Sequence, residues 1–188
     1  MIYVSVPKTG TNSVHSLLGN NKYNHLKVSM IVKLIGPQAY NNEFSFAFVR
    51  NPFDLVKSWY YYHKYSPNVV RQDVKNFYPD TIEEWADLGF LTHWETTAHK
   101  KYNPHWDMTN PLFQKSWSHI GDKQVVSKLY RFDDLDIVMR YLTGKIITHE
   151  NSSSQNEHVL SDHVCNLIRE GFKEDIALYN SVPVFTTK

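Results

Sequence analysis

Lys8, Gly10 and the polar side chains of Thr9, Thr11, Asn12 and Ser13 follow directly on a short apolar run, Ile2-Tyr-Val-Ser-Val-Pro7. Residues of these types in this order suit the capture of an anion. Gly10 lets the backbone approach a ligand closely, Thr11 or Asn12 can cap a following helix, and Lys8 supplies a mobile positive charge. A second corner of similar character closes the run Phe44-Ser-Phe-Ala-Phe-Val49, which ends in Arg50-Asn51-Pro52. A guanidinium there offers a planar fork of donors to a phosphate-like group. Each corner also has a plainer reading: a solvated polar loop at Lys8, and a strand-end arginine paired with Asp54 or another carboxylate at Arg50.

The elements needed to position these groups are legible nearby. The β-branched run before Lys8 reads as a strand, and Val14, Leu17 and Leu18 mark an amphipathic helix after it. Strand, tight loop and helix aim backbone N–H groups and a helix N-terminus at an anion. The second run is apolar or small throughout, as in a strand covered on both faces, and Pro52 opens a helix to about His63. A short helix is expected from about Met30 to Ile35, stopped by Gly36-Pro37; residues 64–80 read as loop; Thr81-Ile-Glu-Glu84 is a capping box. Residues 90–122 show no clear period. Val125 to Tyr130 reads as a third strand, Asp133 to Leu142 as a helix, 143–158 as a polar loop, and two helices close the chain at about 159–171 and 173–181.

Alternating strands and helices predict an α/β fold of three layers, a central parallel sheet flanked by helices, with ligands at the carboxyl ends of the strands. Both polar corners fall at such ends. Two anion-friendly corners on neighbouring strands suit one ligand carrying two separate phosphate-like groups. The first loop is not a Walker A motif, because Lys8 precedes the loop's one glycine, and no carboxylate stands where a magnesium ligand is expected.

At 188 residues the chain is expected to form one domain, 1–188, with 64–122 as an acceptor-binding or lid insertion. A formal net charge of +1 argues against a general nucleic-acid or membrane-surface binder and makes any anion site local. The single cysteine, Cys165, rules out an intrachain disulfide framework and reads as a small buried hydrophobe. No apolar stretch approaches a membrane span and no signal peptide is seen, so the chain reads as soluble and cytoplasmic; a lumenal catalytic domain trimmed from a Golgi membrane-anchored parent would read alike.

Val6-Pro-Lys-Thr-Gly-Thr-Asn-Ser13 resembles the 5′-phosphosulfate loop of sulfotransferases that use 3′-phosphoadenosine-5′-phosphosulfate (PAPS). Phe46-Ala-Phe-Val-Arg-Asn-Pro-Phe-Asp-Leu-Val-Lys-Ser-Trp-Tyr60 resembles that family's 3′-phosphate motif, in its carbohydrate sulfotransferase branch. Arg50 and Ser58 keep the family's spacing of arginine and serine, and Tyr130-Arg-Phe-Asp-Asp-Leu135 is similar to a third, weaker signature. Two departures stand out: Asn12 replaces the commoner Thr or Ser, and Asp133 the commoner Glu.

The resemblance implies a PAPS-dependent sulfotransferase of P-loop-like fold, with PAPS as donor, 3′,5′-ADP (PAP) as product and no metal. It assigns Lys8, Thr9, Gly10, Thr11, Asn12 and Ser13 to the 5′-phosphate, Arg50 and Ser58 to the 3′-phosphate, and a hydroxyl-bearing glycan as acceptor. Lys8 and His25 become the catalytic pair, Lys8 at the bridging oxygen and His25 as general base; His63, Glu43 and His15 are rivals for the base. His93, His99, His105 and His119 are not spaced as a metal site on one helix face. Trp94, Tyr102, Trp106 and Trp117 suit either sugar stacking or packing, and Lys100 and Lys101 either an anionic acceptor or solvated surface. Other classes fit less well: a catalytically silent nucleotide- or glycan-binding module on the same fold, and a P-loop nucleotide kinase. Oligomeric state is not legible.

Overall fold

A computed structural model of the chain describes residues 1–19, 22–93, 110–149 and 158–187. In chain order its elements are β1 (Ile2–Tyr3), α1 (Thr11–Leu18), α2 (Val28–Ile35), α3 (Pro37–Asn41), β2 (Ser45–Val49), α4 (Pro52–Tyr65), α5 (Gln72–Phe77) and α6 (Ile82–Asp87). Then come α7 (Lys115–Ser118), β3 (His119–Ile120), β4 (Lys123–Gln124), β5 (Lys128–Arg131), a 3₁₀ turn at Phe132–Asp134, α8 (Leu135–Thr143), α9 (Asp162–Gly171) and α10 (Lys173–Ser181). The described residues are therefore mixed α/β, with ten α-helices and a small three-stranded parallel sheet. None of these helices is long and apolar enough to cross a membrane.

The chain divides into two compact units, the first drawn from Met1–Asn51, Gln114–Ser152 and Ala177–Lys188, the second from Pro52–Phe113 and Ser153–Ile176. In the first, the sheet runs β1-β2-β5, with Ile2 opposite Ser45 and Phe46–Val49 opposite Lys128–Arg131. All five residues of β2 are buried, as its unbroken apolar sequence requires of a central strand with both faces covered. One face packs Tyr3, Phe46, Phe48 and Tyr130 against Val14 of α1 and Leu135, Val138 and Met139 of α8. The Ser45 and Ser127 hydroxyls meet at 3.2 Å beside the start of β5 and accept each other's backbone N–H at 3.1 and 3.0 Å.

The second unit is helical and holds a separate apolar core of Leu55, Val56, Trp59, Tyr60, Tyr78, Trp85, Val164 and Ile168. Polar atoms inside it are satisfied locally. Trp59 Nε1 donates to the Tyr78 hydroxyl at 2.7 Å, and that hydroxyl lies 2.9 Å from His93 Nδ1. The expected capping box is present, with Glu84 N donating to Thr81 Oγ1 at 3.2 Å and Thr81 N to the Glu84 carboxylate at 3.4 Å.

Several expected boundaries move. Gly36-Pro37 ends α2 but also starts α3, because Gly36 turns the chain at φ 86° and Pro37 suits the first helical position. Residues 64–80 contain α5, whose six residues bury Val74 too briefly to show a period. The unparsed stretch holds α7 and β3, and the β3–β4 hairpin that runs on past its end turns at Gly121, φ 58°. The third strand starts at Lys128, not Val125, because Val125 N bonds back to Ser118 O at 2.9 Å and leaves the sheet register to begin after Ser127.

Candidate functional site

Lys8, Thr9, Gly10, Thr11, Asn12, Ser13, His25 and Arg50 all belong to the first unit. Their loop follows β1 and is folded tightly: Lys8 takes φ 64° and Gly10 φ 72°. The Thr9 and Thr11 hydroxyls both donate to the Val6 carbonyl, at 2.8 and 3.0 Å, and tie the loop to the chain before Pro7. Those two protons are thereby spent inside the loop. The loop runs directly into the first turn of α1, where an α-helix leaves its N–H groups without intrahelical acceptors.

Gly10 caps α1 in left-handed geometry with no side-chain cap bond, so the capping role expected of Thr11 or Asn12 falls to Gly10, and both are helical residues. The space at Gly10 is taken by the protein's own side chains, a different reason for glycine from the ligand approach expected: a β-carbon there would lie 2.9 Å from Leu135 Cδ2 and 3.1 Å from Phe132 Cε2. Asn12 is exposed in the first turn, while Ser13 is buried.

Arg50 leaves the tip of β2 and folds onto this loop. Its Nη1 donates to the Lys8 carbonyl at 2.9 Å. Its backbone is bracketed by one side chain: Arg50 N donates to Gln114 Oε1 and Gln114 Nε2 donates to Arg50 O, each at 2.7 Å. Gln114 is fully buried and thus acts as a one-residue strand partner that fixes where the arginine departs. Beneath the guanidinium lies Phe132, with Cζ 4.7 Å from the ring centroid.

Bringing the two cations together has an electrostatic consequence. Burial, and secondly the Arg50 charge, push the Lys8 ammonium down to about 7. An anion placed here would relieve both effects at once.

His25 is pinned by its backbone, with φ 55° and its N–H donating to Ser5 Oγ at 2.9 Å, just past the end of β1. Burial, and secondly the charge of His15, hold its imidazole down at about 4, so it is neutral at pH 7. Three other residues rival His25 as the base. Glu43 pairs with the Met1 amino group, His15 packs edge-on to Tyr3 at 5.3 Å, and His63 Nδ1 donates to Trp59 O at 2.9 Å within α4.

Ser58 lies in the second unit, buried on α4. Trp117 is buried in the first, with the Lys27 ammonium 5.9 Å from its ring centroid, and His119 Nδ1 lies 2.9 Å from Ser118 Oγ. Cys165 is half-buried on α9. Trp94, His99, Lys100, Lys101, Tyr102, His105 and Trp106 lie outside the described residues.

Sequence reasoning missed Gln114 and Phe132. Gln114 sits in a stretch with no period and contacts Arg50 from 64 positions away. Phe132 stood inside the third signature, which marked its neighbourhood and not its role. Comparison with family models, with curated proteins and with solved structures returned no match.

Proposed function

We propose that this chain is a sulfotransferase that moves a sulfuryl group from PAPS to a hydroxyl, with a carbohydrate as acceptor, on a three-layer P-loop-like fold. The observation that carries this reading is the Arg50 bond to the Lys8 carbonyl. It places the cation of one strand tip against the loop of the next strand, an arrangement suited to one ligand with two phosphate groups. The motif order and spacing supply the identity of that ligand.

Sulfuryl transfer passes in line between two oxygens, and catalysis is mainly positioning and charge stabilisation, by analogy with phosphoryl transfer. Lys8 meets the charge that develops on the oxygen bridging to the departing 5′-phosphate, while the backbone from Thr9 to Ser13 and the start of α1 hold that phosphate. Arg50 takes the 3′-phosphate; a share for Ser58 rests on motif spacing alone. Neutral His25 accepts the proton of the attacking hydroxyl. Burial leaves His25 neutral at pH 7, the form a proton acceptor needs, while its low basicity weakens it in that role.

Titration with 3′,5′-ADP, 5′-AMP and magnesium-ATP tests the nucleotide. Preference for 3′,5′-ADP without metal is expected, and preference for magnesium-ATP would replace this reading with a kinase. Transfer of labelled sulfate from PAPS to a panel of glycans then separates an enzyme from a silent binding module.

A further inference from the structure

We infer that Phe132 is the positioning residue for Arg50, setting the guanidinium in place before any ligand arrives. The inference rests on the reading of Arg50 as the 3′-phosphate's ligand. Phe132 is wedged between the two corners of the site. Its face lies 4.7 Å under Arg50 Cζ, and its edge abuts Gly10, where an added β-carbon would come within 3.1 Å of Cε2.

A guanidinium stacked on a ring keeps its N–H groups in its own plane, pointing outward toward acceptors. One of them is already bonded to Lys8 O. Ring and carbonyl together hold the guanidinium at two points, one on its face and one at Nη1. A long, rotamer-rich side chain would otherwise be ordered at the moment of binding, at a cost in affinity.

The ring is itself held firmly. The residues around it are tied to the segment after Ala177: Arg131 Nε donates to Val182 O at 2.6 Å, the Arg131 guanidinium lies 4.8 Å over the Tyr179 ring, the Tyr179 hydroxyl bonds Asp133, and Phe185 N donates to Asp134 Oδ2 at 2.8 Å. All of these residues lie in the first unit. Phe132 therefore stands on a strapped corner and not on a loose loop.

The test compares wild type with Phe132→Leu, which keeps apolar bulk against Gly10 but removes the ring face, and with Phe132→Tyr, which restores it. Affinity for 3′,5′-ADP should fall about tenfold in Phe132→Leu, return in Phe132→Tyr, and leave 5′-AMP affinity within about twofold throughout. A merely structural role would weaken both nucleotides together, and that result would overturn the inference. Side-chain ¹⁵N relaxation of the Arg50 Nε–H, without nucleotide, gives a second readout: ordered in wild type and Phe132→Tyr, disordered in Phe132→Leu. Should Phe132→Leu not fold, Asp134→Ala, which cuts the tie to Phe185, should lower Arg50 order and 3′,5′-ADP affinity in the same direction; unchanged values would overturn the inference. If wild type shows no preference for 3′,5′-ADP over 5′-AMP, the proposed function fails, and Arg50 order alone then decides the role of Phe132.

Discussion

Burial and the neighbouring Arg50 charge bring Lys8 down to about 7, so at pH 8 roughly nine in ten ligand-free molecules carry it as the neutral amine. A phosphate bound against that amine favours the ammonium and raises its pKa back toward the ordinary lysine range. Binding of 3′,5′-ADP at pH 8 should therefore draw about 0.9 proton per nucleotide from buffer, an uptake that is lost by pH 6, where the amine is already charged and the half-protonated phosphates release protons instead. The ligand contributes little at pH 8, about two units above the second phosphate pKa near 6. Calorimetry in Hepes and in Tris reads the proton directly, as the slope of observed enthalpy against buffer ionisation enthalpy. Affinity should also weaken about tenfold per pH unit above 7, until the pKa of the bound state is reached. Lys8→Met should abolish both the slope and the pH dependence. Intact binding with a slope near zero at pH 8 would refute the argument that Lys8 and the anion meet.

Lys8→Ala should lower sulfuryl-transfer turnover at least about a hundredfold, as for loss of one preorganised charge-stabilising donor, and near-normal turnover would remove Lys8 from the mechanism. Gly10→Ala should cost about 1–2 kcal/mol for the left-handed backbone alone, with more for displacing Leu135, read as a drop in urea midpoint. Gln114→Ala should cost about 2–4 kcal/mol by stripping two buried partners from the Arg50 backbone, and a loss below about 0.5 kcal/mol would deny the bracketing role. His25, held at about 4 against 6.5, binds a proton more weakly folded than unfolded. Its contribution to stability is therefore full above pH 6.5 and lost as pH falls toward 4. His25→Asn should flatten that acid limb by on the order of 2 kcal/mol in urea melts, and superimposable limbs would count against its burial.

The parts of the fold that could be read from sequence are those written in local chemistry. β2 announced itself by an unbroken run of apolar or small side chains, all five of whose strand residues are buried, and α6 by its capping box. The loop at Lys8 was readable because its types and order are unusual together. What escaped was either short or long-range. Helix α5 has six residues, fewer than two turns, and no periodic stripe can emerge from so few. The side chain that brackets Arg50 is a lone glutamine in an aperiodic stretch, and nothing in its neighbours predicts a partner 64 positions earlier. The convergence of Lys8 and Arg50 followed from parallel pairing of their strands, whereas the perturbation of Lys8 is a property of the assembled corner.

The bonds from Val182 and Phe185 to the Arg131–Asp134 corner have a bearing on biosynthesis. Translation makes the Lys8 loop well before Val182 and Phe185, so a nascent chain carries the cationic loop before its supporting corner can lock. Until those anchors are made the loop lacks the support that orients Arg50, and its selectivity for a particular ligand is acquired only when they dock.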